Sequence, residues 1–157
     1  MGKISRITVV VLLVFVAAGQ LAATASAETK SEIQPTPEAA IRAVLDRQVE
    51  AWNRGDLKEY MHGYWLSPEL TFFAGSNESA GWEAAYQRYQ AAYLGKDKQM
   101  GRLTFTKIRV EVLSPEAAFV RGGWQLTMKD GSKRNGLFTV VLRKFDEGWR
   151  IIHDHSS

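Results

Sequence analysis

Residues 117–157 read AAFVRGGWQLTMKDGSKRNGLFTVVLRKFDEGWRIIHDHSS, and this stretch decides the fold. Three β-rich runs stand in it: Ala117 to Met128, Arg134 to Phe145 and Trp149 to His155. Their spacers, Lys129-Asp130-Gly131-Ser132 and Asp146-Glu147-Gly148, are short and rich in the residues of hairpin turns. A fourth run, Leu103 to Leu113, precedes them across Ser114-Pro115-Glu116. The spacing predicts an antiparallel meander of four long strands. Runs of 11 or 12 residues are too long to lie flat in a small domain at roughly 3.3 Å per residue, so the sheet must bend. Gly122-Gly123 is the expected bending point, as a β-bulge.

Helical periodicity dominates upstream. Thr36 caps a helix whose first position takes Pro37, with Ile41, Val44, Leu45, Val49 and Trp52 on its apolar side and Gly55 as its stop. Asp56 opens a second, shorter helix with Glu59 as capping partner and Leu57, Tyr60, Met61 and Tyr64 on one side. A short strand is predicted over Leu70 to Ala74, a turn over Gly75 to Ser79, and a third helix over Ala80 to Leu94. Trp82, Tyr86, Tyr89 and Tyr93 step along one face of that helix. Such a stripe is usually core, but three tyrosines in it need hydrogen-bond partners, which a polar pocket supplies. The elements combine into an α+β domain, three N-terminal helices packed on a strongly curved sheet, with an open end suited to a ligand cavity.

Residues 1–27 carry the marks of a signal peptide. Lys3 and Arg6 form the charged region, Ile7 to Ala18 the apolar one, and Ala25-Ser26-Ala27 a small-residue cleavage site before Glu28. The apolar run is too short for a membrane anchor. The expectation is an exported protein, periplasmic or secreted, with a flexible leader over residues 28–36 and one domain over residues 37–157. There is no cysteine to form disulfides or carry a lipid. The chain has 20 Lys and Arg against 17 Asp and Glu, a net charge of +3; loss of Lys3 and Arg6 leaves 18 against 17, or +1. That balance argues against nucleic acid as a partner.

The chemistry-bearing residues collect near the C-terminus. Strict alternation along the last strand puts Trp149, Ile151, His153 and His155 on one face and Arg150, Ile152 and Asp154 on the other. His153 and His155 are a possible pair of metal ligands with no third, so no metal and no cofactor is expected; instead one of them is expected to bond a pocket tyrosine or the ligand and the other to satisfy structure near the chain end. Asp154 is the strongest acid–base candidate, with His153 and His155 behind it; its alternative is a structural pairing with Arg121 or Arg143. Arg121, inside an apolar run, either points into the cone to grip a carboxylate or lies on the solvent side and pairs with Asp154 or a glutamate. Trp124, Tyr64, Trp65, Tyr86 and Tyr89 complete the expected pocket wall.

The order of elements, together with Asn53-Arg54-Gly55-Asp56, Tyr60, Gly148-Trp149-Arg150 and His153-Asp154-His155-Ser156, resembles the SnoaL-like branch of the nuclear transport factor 2-like superfamily, also described as cystatin-like. Ala118-Phe119-Val120-Arg121 and His153-Asp154-His155 are similar to segments of the calcium/calmodulin-dependent protein kinase association domain, in which Arg121 falls on a pocket arginine while Val140 and Ser156 replace two others. The resemblance implies a cone-shaped pocket for a small, anionic organic molecule. It also implies two alternatives: an isomerase, dehydratase or cyclase with Asp154 or a histidine as general base, or an oligomeric structural module. A homodimer is expected through the outer face of the sheet.

Overall fold

The computed structural model describes residues 34–157, so the expected signal peptide and most of the leader lie outside the described residues. Helix α1 (Pro37–Asn53) begins as the sequence predicts: Thr36 Oγ1 accepts from the Ala39 amide at 3.2 Å, with proline in the first turn. It buries Ile41, Val44, Leu45, Gln48, Ala51 and Trp52. Helix α2 (Leu57–Met61) is capped by Asp56, whose Oδ1 accepts from the Glu59 amide at 2.9 Å. The turn between them is pinned to the sheet. Asn53 accepts from the Leu103 amide at 2.8 Å and donates to the Leu103 carbonyl at 3.0 Å, while Trp52 Nε1 donates to the Met100 and Gly101 carbonyls.

Strand β1 (Thr71–Ala74) turns at once into β2 (Asn77–Ala80), where the sequence predicts only a turn. Helix α3 (Trp82–Tyr93) therefore starts two residues later than expected, after Gly81 at φ 87°. Strands β3 (Arg102–Ser114), β4 (Ala117–Thr127), β5 (Lys133–Phe145) and β6 (Gly148–Ser156) form the predicted antiparallel meander. β1 adds to β6 in parallel, giving a mixed six-stranded sheet in the order β2-β1-β6-β5-β4-β3. The helices cover its inner face, to which Ala118, Val120, Leu126, Phe138, Val140, Leu142 and Ile151 contribute buried side chains. The α+β architecture of helices on a curved mixed sheet is the one the sequence predicts.

The irregularities fall elsewhere than predicted. Register between β4 and β5 runs unbroken through Gly122-Gly123. It shifts instead in β3 between Thr106 and Arg109, where Lys107 takes φ 54°, and in β6 opposite Val141 and Leu142. Gly122 serves the bend differently, by vacating space. A Cβ there would lie 2.6 Å from Ile108 Cδ1 and 2.9 Å from the Phe138 ring, so its absence lets side chains of the two flanking strands, β3 and β5, crowd in over β4.

Candidate functional site

The β6 irregularity sets the chemistry of the site. Leu142 pairs with Ile151 and Val141 pairs with His153, which leaves Ile152 as an extra residue. An extra residue reverses side-chain parity for everything after it. Trp149 and Ile151 point inward, and beyond the bulge so do Asp154 and Ser156, while His153 and His155 turn outward; this corrects the strict alternation read from sequence. The bulge coincides with a change of neighbour: Ile151 bonds through its backbone to Gly63 and Trp65, and from His153 onward the strand pairs with β1.

Asp154, only 4% exposed, thus enters a cavity of about 310 Å³ between the helices and the inner sheet face. Apolar walls come from Leu45, Trp52, Phe72, Leu103, Phe138 and Val140. Tyr64 donates to Asp154 Oδ2 at 2.7 Å and Ser156 donates to Oδ1 at 2.7 Å. Tyr60 Oη lies 3.4 Å from Tyr64 Oη and 3.3 Å from Tyr89 Oη, so three phenols and one carboxyl form a continuous polar strip. The rings hold one another edge-on: Tyr60 and Tyr89 meet at 5.4 Å, and Trp52 meets Tyr60 at 5.0 Å. Gln48 donates to the Tyr60 carbonyl at 3.2 Å, tying the strip to α1.

Burial decides the ionisation of the strip. Loss of solvent pushes the Asp154 carboxyl up to about 6, against the downward pull of its bonds from Ser156 and Tyr64 and of the neighbouring His155. Desolvation, then the Asp154 charge, pushes Tyr60 up to about 12. Burial likewise raises Tyr64 and Tyr89, with Asp154 and the neighbouring phenols adding to the effect. At neutral pH the phenols are donors, and the carboxyl titrates near the working range of an acid–base group. Arg88, on α3, is the cation of the lining and has no ion pair among the described residues.

Of the residues selected from sequence, Asp154, Tyr64, Tyr89 and Trp124 line this cavity. Arg121 does not: β4 keeps its alternation, buried Val120 points inward, and Arg121 points outward. There it donates to Glu111 at 3.1 Å and lies over the Phe119 ring. Its pairing with a glutamate, the second of the two readings, is the one found. His153 and His155 flank Phe73 on the outer face, and the His153 ring bonds Thr71 Oγ1 at 2.6 Å. Burial, then His155, lowers the His153 pKa. Trp65 is outside the lining, stacked on Phe145 at 5.5 Å beneath the Arg143 guanidinium. Tyr86 stacks on Trp82 at 5.1 Å, also outside it. Among the described residues no group of three or more His, Asp or Glu is gathered as metal ligands would be.

The sequence reading omitted Tyr60, Arg88 and Ser156 from the site. Tyr60 was legible, lying four residues before Tyr64 on one helical side. Arg88 shares a lining face with Ala92, one position offset from the tyrosine stripe, and only helix docking reveals it. Ser156 follows Asp154 at strand spacing, so it was hidden by the same parity error.

The profile of the SnoaL-like domain matches residues 41–157. Among solved structures, a nuclear transport factor 2-like protein of unknown function from Shewanella oneidensis is 38% identical, covering 78% of this chain and 99% of that one at a TM-score of 0.72. Two more distant structures share the fold. One is a putative calcium/calmodulin-dependent protein kinase II association domain from Xanthomonas campestris, 22% identical over 74% of this chain and 84% of that one, with a TM-score of 0.58. The other is a ketosteroid isomerase-like protein from Erwinia carotovora, 21% identical over 76% of this chain and 93% of that one, with a TM-score of 0.57. No protein of curated function matches the chain. The match over most of the sequence, on the helices and curved sheet that enclose the cavity, establishes that the chain belongs to the SnoaL-like domain family.

Proposed function

We propose that this domain binds a small, partly apolar organic anion in the cavity beneath α3, with its polar end toward Asp154 and the tyrosines. The observation that carries the reading is the enclosed space itself. A volume of about 310 Å³ falls in the range of small-molecule sites, roughly 300–1,000 Å³, and it has their apolar walls with a few convergent polar groups. Support for an anion now rests on Arg88, which takes over the part expected of Arg121. Native mass spectrometry of the purified protein tests the reading by revealing a co-purified small molecule. A protein that arrives empty, and whose melting temperature no organic acid in a metabolite screen raises, would refute it.

A second reading, a proton-transfer enzyme, is favoured by one observation: Asp154 is buried, carries a pKa raised to about 6 and accepts a short bond from Tyr64. Such a carboxyl takes a proton from carbon and returns it at neutral pH, while the phenols stabilise the charge that develops on a carbonyl oxygen. Solvent-deuterium exchange into a bound carbonyl compound, abolished in Asp154→Asn, separates this reading from binding alone. We further propose export with cleavage before Glu28, which N-terminal sequencing of the mature protein checks.

A further inference from the structure

Asp154 is the one side-chain carboxyl of the cavity lining, to which Ser157 with its chain-terminal carboxylate also belongs, and no ion pair reaches Asp154 among the described residues. The groups around it come from every packed element. α2 and the loop after it present Tyr60 and Tyr64, α3 presents Tyr89 and contributes Arg88 to the same lining, and α1 presents the neutral amide of Gln48. β1 and β5 add Phe72 and Val140; on its own strand Ser156 bonds it and His155 sits on the opposite face. Among the described residues Arg88 and Asp154 are thus the only permanently or readily charged side chains lining the space, with the terminal carboxylate of Ser157 as a further fixed charge that is present before and after binding.

An anion entering this space changes Asp154 in two ways of the same sign. A ligand filling about 310 Å³ sits within about one Debye length, ~10 Å at 0.1 M salt, and a largely buried pair is screened much less than one on the surface. Its charge therefore opposes the carboxylate. It also expels water from the cavity, which disfavours the carboxylate again. Arg88 does not cancel either effect, because its charge acts on Asp154 before and after binding. The change on binding is the ligand's charge and the water it displaces.

We propose that the cavity takes up an apolar monocarboxylate together with one proton from solvent, held on Asp154, so that the bound guest and its proton are neutral overall. This rests on the anion-binding reading above and specifies its ligand class. The hydroxyl strip accommodates the added proton. Tyr60 Oη stands at 3.4 and 3.3 Å from its two neighbours, longer than a well-made O–H···O bond at about 2.7–2.8 Å, so these hydroxyls are free to turn. Protonated Asp154 donates to Tyr64 Oη, and Tyr64 releases its own hydrogen toward Tyr60 or the ligand. The raised pKa of the free carboxyl, about 6, brings the uptake into the neutral range.

Calorimetric titration of the full chain with cinnamate, and with its neutral counterpart cinnamamide, in PIPES and in Tris at pH 7 tests the proposal. The expected result is a binding heat for cinnamate that differs between buffers by the ionisation heat of more than half a proton, and an affinity that falls up to tenfold per pH unit above pH 7. Cinnamamide should show neither effect, and Asp154→Asn should remove both for cinnamate. Cinnamate binding with no buffer dependence overturns the proton uptake and leaves the anion reading standing. Binding of cinnamamide alone overturns the anion reading and the uptake together, and binding of neither overturns both along with the cavity as a site for apolar acids of this size.

Discussion

Replacing Asp154 with asparagine should make the protein more stable at neutral pH. The folded carboxyl titrates at about 6 against a reference of 3.8, so between those pH values the folded state holds more protons than the unfolded one. Stability therefore falls as pH rises through that window and is level on either side. A shift of about 2 units at 1.36 kcal/mol each puts the loss on the order of 3 kcal/mol. Asparagine carries no charge and keeps an oxygen for the Tyr64 hydroxyl. Its amide then faces Ser156 Oγ, which must rotate to accept, a change worth about 1 kcal/mol against the variant. The variant should thus be near or slightly below wild type at pH 4 and about 2 kcal/mol above it at pH 7, a swing in relative melting temperature of roughly 10 °C for a domain of this size. Thermal melts of both proteins from pH 4 to 8 measure it, and taking the difference cancels the opposite contribution of His153, whose pKa is lowered. A difference that stays flat between pH 4 and 6, or that moves against the variant as pH rises, would refute the claim that the wild type holds a desolvated carboxyl.

Three other perturbations follow from the same geometry. Tyr64→Phe removes one donor to Asp154 and should extend the upper end of the window of falling stability by about 1–2 units while the lower end, set by the unfolded carboxyl, stays, read from melts between pH 4 and 9. Arg121→Met breaks an exposed pair with Glu111, so it should cost less than about 1 kcal/mol in denaturant titrations. It should also leave cinnamate affinity unchanged, whereas Arg88→Met weakens it at least several-fold. Half-buried Phe73, Phe119 and Val141 on the outer sheet face predict a homodimer, and sedimentation velocity finding only monomer at micromolar concentration would count against it.

The parts of the fold that local chemistry dictates were legible in the sequence. Thr36 and Asp56 cap the helices they were expected to cap, and the turns at Pro115, Gly131 and Gly148 separate the strands they were expected to separate. β2 was missed because Asn77-Glu78-Ser79-Ala80 is a polar edge strand with no apolar alternation, held by pairing to β1. The site was half legible for a related reason. Residue types marked Asp154 and the tyrosines as a chemical group, but direction depends on parity, and parity is set by where the ladder is interrupted. Glycines are the usual signal of an interruption, and here they misled: Gly122-Gly123 keeps the ladder and makes room, while the shifts at Lys107-Ile108, Leu113 and Ile152 carry no such signal. Arg121 was left undecided by the first error, and the histidines were turned inward by the second.

The bulge at Ile152 makes the acid of this cavity a property of where the ladder is interrupted as well as of residue identity. Deleting Ile152 would close the irregularity and leave Asp154 facing the cavity, because regular alternation from Ile151 then reaches the aspartate. Losing the bulge with Ile152 retained would instead restore strict alternation from Ile151, bringing His153 and His155 to the inner face and sending Asp154 out. Two neighbouring frames of the same peptide thus encode two different sites, one built on a carboxyl and one on imidazoles. A lineage carrying this strand can exchange its chemistry by gaining or losing the bulge, with every side chain retained, and a bulged and an unbulged relative aligned without a gap here would be compared across opposite faces of the sheet.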